Sequence, residues 1–178
     1  MKEKVIYLQG IKLDKNPIAK LLLPAYKRIK VWPPSLPANS KRAMLKRTAM
    51  LRESLTFSKR ALNEDHNLAI YAEGGRSYHA KLKKGEAAIA HYLQINPNAI
   101  IVPVSISGTE KIMPPGSFLI FSRPATVSFG EPIEVKFLNE KFKDLPNNER
   151  REKIVDYIMH KIAERLPEKY RGVYSNRE

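Results

Sequence analysis

The chain has 178 residues, a length that suits a single domain with its own core, and we expect one domain over residues 1–178. It has no cysteine, which excludes disulfides, thiolate catalysis and cysteine-ligated metal sites, and it has no run of 18 apolar residues. The formal net charge is +14, and residues 1–60 hold 15 of the 32 Lys and Arg residues but only 3 of the 18 Asp and Glu residues. This basic segment suits an anionic membrane surface, a nucleic acid or an acidic protein.

The first part of the chain predicts two short strands and two helices. Residues 5–8 and the alternating pair Ile29 and Val31 favour strands, and residues 16–23 favour a helix with Pro17 at its first position. A proline-rich loop covers residues 32–37, and Ser40 suits the N-cap of a long helix. The predicted inner face of that helix carries Met44, Thr48, Leu51, Leu55, Ser58 and Leu62. Its outer face carries Lys41, Arg42, Lys46, Arg47, Arg52, Lys59 and Arg60.

The remainder of the chain alternates between strand and helix patterns. Strands are predicted over 68–72, 99–106, 125–129 and 133–135, and helices over 86–93 and from Asn147 or Asn148 to Pro167. The run 99–106 is nearly all apolar, which is typical of a strand covered on both faces. These patterns predict an α/β fold with a mostly parallel sheet flanked by helices.

The segment Tyr71–Ser77 joins a predicted strand to a Gly-Gly turn with a carboxylate before it and a guanidinium and a hydroxyl after it. Adjacent glycines leave backbone N–H groups open to a ligand, and Arg76 can form two hydrogen bonds to a carboxylate or a phosphate. An ordinary strand-ending turn with an ion pair is the alternative interpretation. Ligands of such sheets bind beyond the carboxyl ends of the strands, where Glu73 and Gly108 are both predicted to lie.

The sequence Y-A-E-G-G-R-S at 71–77 resembles the F-P-E-G-T-R-S block of the glycerolipid acyltransferases, the family of bacterial 1-acyl-glycerol-3-phosphate acyltransferases. Further blocks follow in the family's order: K-K-G at 83–85, a V-P-V strand ending in glycine at 101–108, a G-x-P-I turn at 129–133, and a tail at 166–174. The resemblance covers about residues 65–174, after the basic segment 1–60. It implies a glycerol-3-phosphate acyltransferase-like fold.

The resemblance implies transfer of a fatty acyl group from an acyl thioester to 1-acyl-glycerol-3-phosphate, as in phospholipid biosynthesis. Acyl-CoA or acyl-acyl carrier protein is the implied donor, and neither a bound cofactor nor a metal is expected. The acceptor would be held by Glu73, Gly74, Gly75, Arg76 and Ser77, with Arg76 on the phosphate. Val102, Pro103 and Gly108 would form a wall of the site. The implied location is cytoplasmic, at the inner face of the membrane.

The catalytic H-x-x-x-x-D block of that family is absent from this sequence, and Gly75 and Ala72 replace its usual Thr and Pro. No histidine precedes His66, and no histidine has an acidic residue five positions later. In the family, the His takes the hydroxyl proton of the acceptor and the Asp orients the His. The residues found five positions after the four histidines are Tyr71, Lys84, Asn96 and Arg165.

Three interpretations therefore stay open. One is a working acyltransferase whose first strand and H-x-x-x-x-D helix precede Met1, so that the fold is N-terminally incomplete. Another is a catalytically inactive relative that binds anionic lipid. The third is a nucleic-acid-binding module based on the basic helix, although only Phe57 interrupts its charges with an aromatic ring.

Overall fold

A three-stranded parallel sheet forms the first part of the fold. The computed structural model describes residues 5–10, 28–32, 37–75, 77, 79–112, 114 and 121–175. Strand β1 (Val5–Gly10) lies between β2 (Arg28–Val31) and β3 (Asn67–Ala69), and all three run in the same direction. The strands predicted around residues 5, 29 and 68 are confirmed, although β3 ends three residues earlier than expected.

Helix α1 (Lys41–Asn63) connects β2 to β3 and packs on both strands. Ser40 is its N-cap, as predicted, because the Ser40 hydroxyl accepts a hydrogen bond from the Ala43 N–H at 3.1 Å. Its buried face is made of the small residues Ser54, Ser58 and Ala61, which allow close approach to the strands. The predicted apolar stripe is therefore partly wrong: Ser58 is buried, but Met44 is 61% exposed.

The chain folds into two compact units. The first comprises Met1–Gly75 with Gln94–Asn96, and the second comprises Arg76–Leu93 with Pro97–Glu178. The first unit holds the parallel sheet and α1, and the second holds the remaining strands and most of the remaining helices.

Two antiparallel strand pairs lie in the second unit. Strand β4 (Ile100–Ile101) pairs with β7 (Ile133–Glu134), and β5 (Val104–Ser107) pairs with β6 (Thr126–Phe129). The prediction of one continuous strand over 99–106 is wrong, because the strand is interrupted at Val102 and Pro103. Proline has no N–H for a ladder hydrogen bond, which accounts for a break at this position.

The prediction that this region is covered on both faces is also wrong. In β5 the apolar residues Val104 and Ile106 are exposed, while Ser105 between them is buried and donates a hydrogen bond to the Arg165 carbonyl at 3.2 Å. Their partners across the strand pair, Phe129 and Val127, are exposed as well. The apolar sequence predicted that Val104 and Ile106 are buried, whereas the structure buries the face of the strand that carries Ser105.

The second unit has an apolar core and holds the remaining described helices. They are α2 (Ile89–Gln94), α3 (Thr109–Ile112), α4 (Val135–Lys141) and α5 (Asn147–Glu164), followed by 3-10 turns at Glu168–Tyr170 and Gly172–Tyr174. Ile133, Leu138, Ile154 and Ile158 form the core cluster. The predicted last helix is confirmed from residue 147, but its N-cap is Pro146 instead of an asparagine. The strand predicted over 133–135 ends at Glu134, where α4 begins.

Some predictions fall outside the described residues. They are the helix over 16–23, most of the loop over 32–37, and the position of Arg76. Among the helices that the structure does describe, none combines the length and the apolar character needed to cross a bilayer.

Candidate functional site

The predicted binding motif begins as a tight turn just after the parallel sheet. The Gly74 N–H donates a hydrogen bond to the Tyr71 carbonyl at 2.9 Å, which closes a four-residue turn two residues after β3. Gly74 has φ of 66°, in the left-handed region that glycine adopts without strain. Glu73 is partly buried and Gly75 is exposed. The backbone conformation of the turn thus requires glycine at position 74 and does not require it at position 75.

Gly74 and Gly75 should therefore respond differently to alanine. Gly74→Ala forces an L-residue into the left-handed region and should destabilise the first unit by about 1 kcal/mol. A Cβ built on Gly75 meets no atom within 4 Å, so Gly75→Ala should be neutral or slightly stabilising. Urea unfolding of both variants measures the difference, and equal midpoints would contradict the turn geometry.

Ser77, the last residue of the motif, closes the loop that follows. Its hydroxyl donates to the Lys81 carbonyl at 2.7 Å and lies 3.2 Å from the Lys81 N–H, which donates to it. The Ser77 hydroxyl is therefore engaged with the Lys81 backbone in the structure. A phosphate oxygen bound by Ser77 would have to replace the Lys81 carbonyl as acceptor of the hydroxyl proton.

The K-K-G block packs directly against α5. A Cβ placed on Gly85 would lie 2.6 Å from Val155 Cγ1 and 2.6 Å from Met159 Cγ, so glycine allows the loop to approach this helix closely. The exposed Lys84 ammonium lies 3.9 Å from the Glu152 carboxylate. The block is thus a packing element against α5.

Of the predicted wall residues, Val102 and Pro103 come before β5 in the chain and Gly108 comes after it. Val102 is exposed, whereas Pro103 is buried and its carbonyl accepts a hydrogen bond from the Gly130 N–H at 2.7 Å. Gly108 follows the last residue of β5, is buried, and has φ of 88° with no room for a Cβ, which would lie 2.7 Å from the Pro124 carbonyl oxygen. The V-P-V and G-x-P-I blocks, which are about 25 residues apart in the sequence, therefore touch through Pro103 and Gly130.

Next to Gly108, a tyrosine and a carboxylate form a direct hydrogen bond. The Tyr170 hydroxyl donates to Glu110 Oε1 at 2.8 Å. Desolvation acts to raise the pKa of Glu110, but hydrogen bonds, first of all the one from Tyr170, leave it lowered. The same hydrogen bond raises the pKa of Tyr170. The sequence offered no signal for this pair beyond the tail's resemblance to bacterial acyltransferases.

The basic face of α1 is exposed along its length, as predicted. Lys41, Arg52 and Lys59 follow one another at spacings of 11 and 7 residues, which places them on one stripe of the helix, on the other side from Ser54 and Ser58. Arg60 makes an ion pair with Glu64 at 2.8 Å.

Other polar groups lie apart from the motif. Burial and the charge of Arg151 lower the pKa of His91, which lies partly buried in α2. His66 is buried in the turn before β3, where its Nδ1 lies 2.9 Å from the Glu64 carbonyl oxygen. Within the described part of the chain, no three His, Asp or Glu side chains are placed to hold a metal ion. An open groove of about 630 Å³ along α5 is lined by none of the predicted site residues.

The parallel sheet, the connecting helix and the helices of the second unit form an α/β fold. The chain is similar to the crystal structure of the 1-acyl-sn-glycerophosphate (LPA) acyltransferase PlsC from Thermotoga maritima, with a TM-score of 0.55 and 16% sequence identity. The match covers 87% of this chain and 54% of that one, so the chain spans about half the length of the acyltransferase. No protein-family model and no curated protein matches the chain. The similarity confirms the predicted fold.

Proposed function

We propose that the chain is an acyltransferase-like protein that binds the glycerol phosphate portion of a 1-acyl-glycerol-3-phosphate through residues 73–77. The observation that carries the proposal is the position of Glu73 and Gly74, in a glycine turn just after a strand of the parallel sheet, in a fold similar to that of an LPA acyltransferase. The carboxyl end of a parallel strand is where such folds place ligands. The backbone N–H groups near Gly75 and the Arg76 guanidinium are suited to a phosphate.

The reaction that this site would serve is attack of the acceptor hydroxyl on an acyl thioester. The hydroxyl oxygen forms the new ester bond, its proton goes to a base, and the thiol of CoA or of acyl carrier protein leaves. Glu73 would orient the acceptor hydroxyl or Arg76, and Arg76 and Ser77 would hold the phosphate. No H-x-x-x-x-D pair is present in the sequence, so the base has to come from another group.

Arg76 provides the test of the acceptor site. Glycerol 3-phosphate, titrated into the full chain by calorimetry, should bind, and Arg76→Ala should weaken binding about tenfold or more because charge-assisted hydrogen bonds are lost. Arg76→Lys keeps the charge without the planar fork and should be intermediate. Lys153→Ala, which removes an exposed cation from α5, serves as the control and should bind like the wild type.

A second assay distinguishes an active acyltransferase from a catalytically inactive protein that only binds lipid. The absence of the H-x-x-x-x-D block favours the inactive alternative. The full chain is incubated with lysophosphatidate vesicles and with acyl-CoA or acyl-acyl carrier protein. Acyl transfer that is lost in Arg76→Ala supports the enzyme. Binding of glycerol 3-phosphate without acyl transfer supports the inactive relative, and absence of binding overturns the proposed acceptor site.

We further propose that the basic face of α1 binds the anionic surface of a membrane, which would hold the chain at the cytoplasmic face where its lipid acceptor lies. Support comes from the exposed stripe of Lys41, Arg52 and Lys59, with each basic residue near such a surface worth about 1 kcal/mol. The phosphates of a nucleic acid would be attracted by the same charges. Tighter binding to duplex DNA than to anionic vesicles at equal salt would favour that alternative.

A further inference from the structure

The C-terminal segment of the second unit is attached to the loop that follows the binding motif. We call residues 168–174 the C-terminal brace. The Leu82 N–H donates to the Tyr170 carbonyl at 2.8 Å, the Val173 N–H donates to the Leu82 carbonyl at 3.3 Å, and the Gly85 N–H donates to the Tyr174 hydroxyl at 3.3 Å. The brace thus pairs with both backbone groups of Leu82 and also holds Gly85 in the K-K-G block.

Tyr170 links this loop to a second element. Its carbonyl accepts from the Leu82 N–H, and its side-chain hydroxyl donates to Glu110 at 2.8 Å. Glu110 is in α3, two residues after Gly108, at the end of β5. One residue of the brace therefore contacts both the loop after the motif and the helix that follows Gly108, one of the predicted wall residues.

The loop itself transmits this position to the motif. Ser77 and Lys81 are connected by two hydrogen bonds, at 2.7 Å and 3.2 Å. Leu82 comes directly after Lys81, and its backbone is fixed by Tyr170. Tyr170 therefore acts on the residue next to Lys81, the hydrogen-bond partner of Ser77.

We propose that Tyr170 is a positioning residue for the phosphate-binding motif. Through its carbonyl and its hydroxyl, it sets the position of the Ser77 loop relative to the strand end at Gly108. The inference rests on the proposed function, because it concerns affinity for the same glycerol phosphate. Binding groups that are held in place before the ligand arrives bind more tightly than mobile ones, since less conformational freedom is lost on binding.

The test compares Tyr170→Phe with the wild type in the full chain, with glycerol 3-phosphate as the probe. Phenylalanine keeps the ring and the backbone carbonyl but loses the hydroxyl, and the dissociation constant should rise about threefold to tenfold at a temperature where both proteins are folded. Tyr157→Phe, an equal change in α5 at a tyrosine outside the brace, should leave the constant unchanged.

Two variants of Glu110 complete the test. Glu110→Ala should match Tyr170→Phe, and the double variant should lose no more than either single one, because both remove the same hydrogen bond. Glu110→Gln still accepts from the tyrosine hydroxyl and should restore most of the affinity. A purely structural role would lower stability in these variants without changing the dissociation constant of the folded protein. If Tyr170→Phe does not fold, the two Glu110 variants carry the same comparison.

The outcomes separate this inference from the function it rests on. Wild-type binding that is unchanged in Tyr170→Phe and Glu110→Ala overturns the positioning role and leaves the acceptor site standing. No binding by the wild type overturns the acceptor site and the positioning role together. A loss in Tyr170→Phe and Glu110→Ala, with recovery in Glu110→Gln, supports both.

Discussion

Replacing Gly172 with alanine should destabilise the second unit by about 3 kcal/mol. Gly172 has φ of 56°, and a Cβ there would lie 2.1 Å from the Leu82 carbonyl oxygen and 2.9 Å from the Leu82 nitrogen. The left-handed conformation costs an L-residue about 1–2 kcal/mol, and crowding of this kind costs about 1–3 kcal/mol more. Both of these contacts are with backbone atoms of Leu82, so rotation of a side chain cannot relieve the crowding. Urea unfolding followed by circular dichroism measures the loss.

Val173→Ala is the matched control, since Val173 is 69% exposed and contributes its backbone N–H to the brace. Its midpoint should stay close to that of the wild type. In Gly172→Ala, the amide of Val173 should also exchange its hydrogen faster, because it donates to the Leu82 carbonyl oxygen, the atom that the new Cβ would crowd most. A midpoint equal to the wild type in Gly172→Ala would contradict the described contact between the brace and Leu82.

Neutralising the basic stripe of α1 should cause the other large effect. The triple variant Lys41→Gln, Arg52→Gln and Lys59→Gln should weaken partitioning to anionic vesicles by about a hundredfold. Each charge contributes about 1 kcal/mol at such a surface, and the three lie on one side of the helix. Co-sedimentation with phosphatidylglycerol vesicles at low salt measures the change. Glutamine favours helix nearly as well as lysine and arginine, so α1 itself should remain folded.

A charge-matched control separates the stripe from the overall charge. Arg123→Gln, Lys136→Gln and Lys153→Gln remove three exposed cations from the second unit and give the same net charge as the first variant. If both triple variants lose vesicle binding equally, the net charge of the chain and not the α1 stripe is responsible. Partitioning should also fall as salt is raised, because screening weakens exposed charges.

The sequence predicted the fold well where local patterns and tertiary structure agree. The strands near residues 5 and 29, the Ser40 cap and the start of the last helix follow from signals within a few residues. The α/β class follows from their alternation. The prediction for 99–106 is wrong because an apolar sequence does not tell which face of a strand is covered, and Pro103 breaks the ladder there.

The candidate site was predictable in one part only. The Gly-Gly sequence predicted the turn of residues 71–74, and Gly108 directly follows the end of a strand, as predicted. The bond between Tyr170 and Glu110 joins residues 60 positions apart, and nothing local to either residue indicates it. Contacts of this kind depend on how elements meet in space, which periodicity and capping signals do not encode.

The C-terminal brace also has a consequence for cooperativity. The bond between Gly85 and Tyr174 closes a loop of 89 residues, and the entropy lost in closing a loop grows only with the logarithm of its length. Once one of the three hydrogen bonds at Leu82 and Gly85 has formed, the other two add little further loss, because they close nearly the same loop. These three hydrogen bonds therefore stabilise one another, and the brace is held or released from Leu82 and Gly85 as a unit.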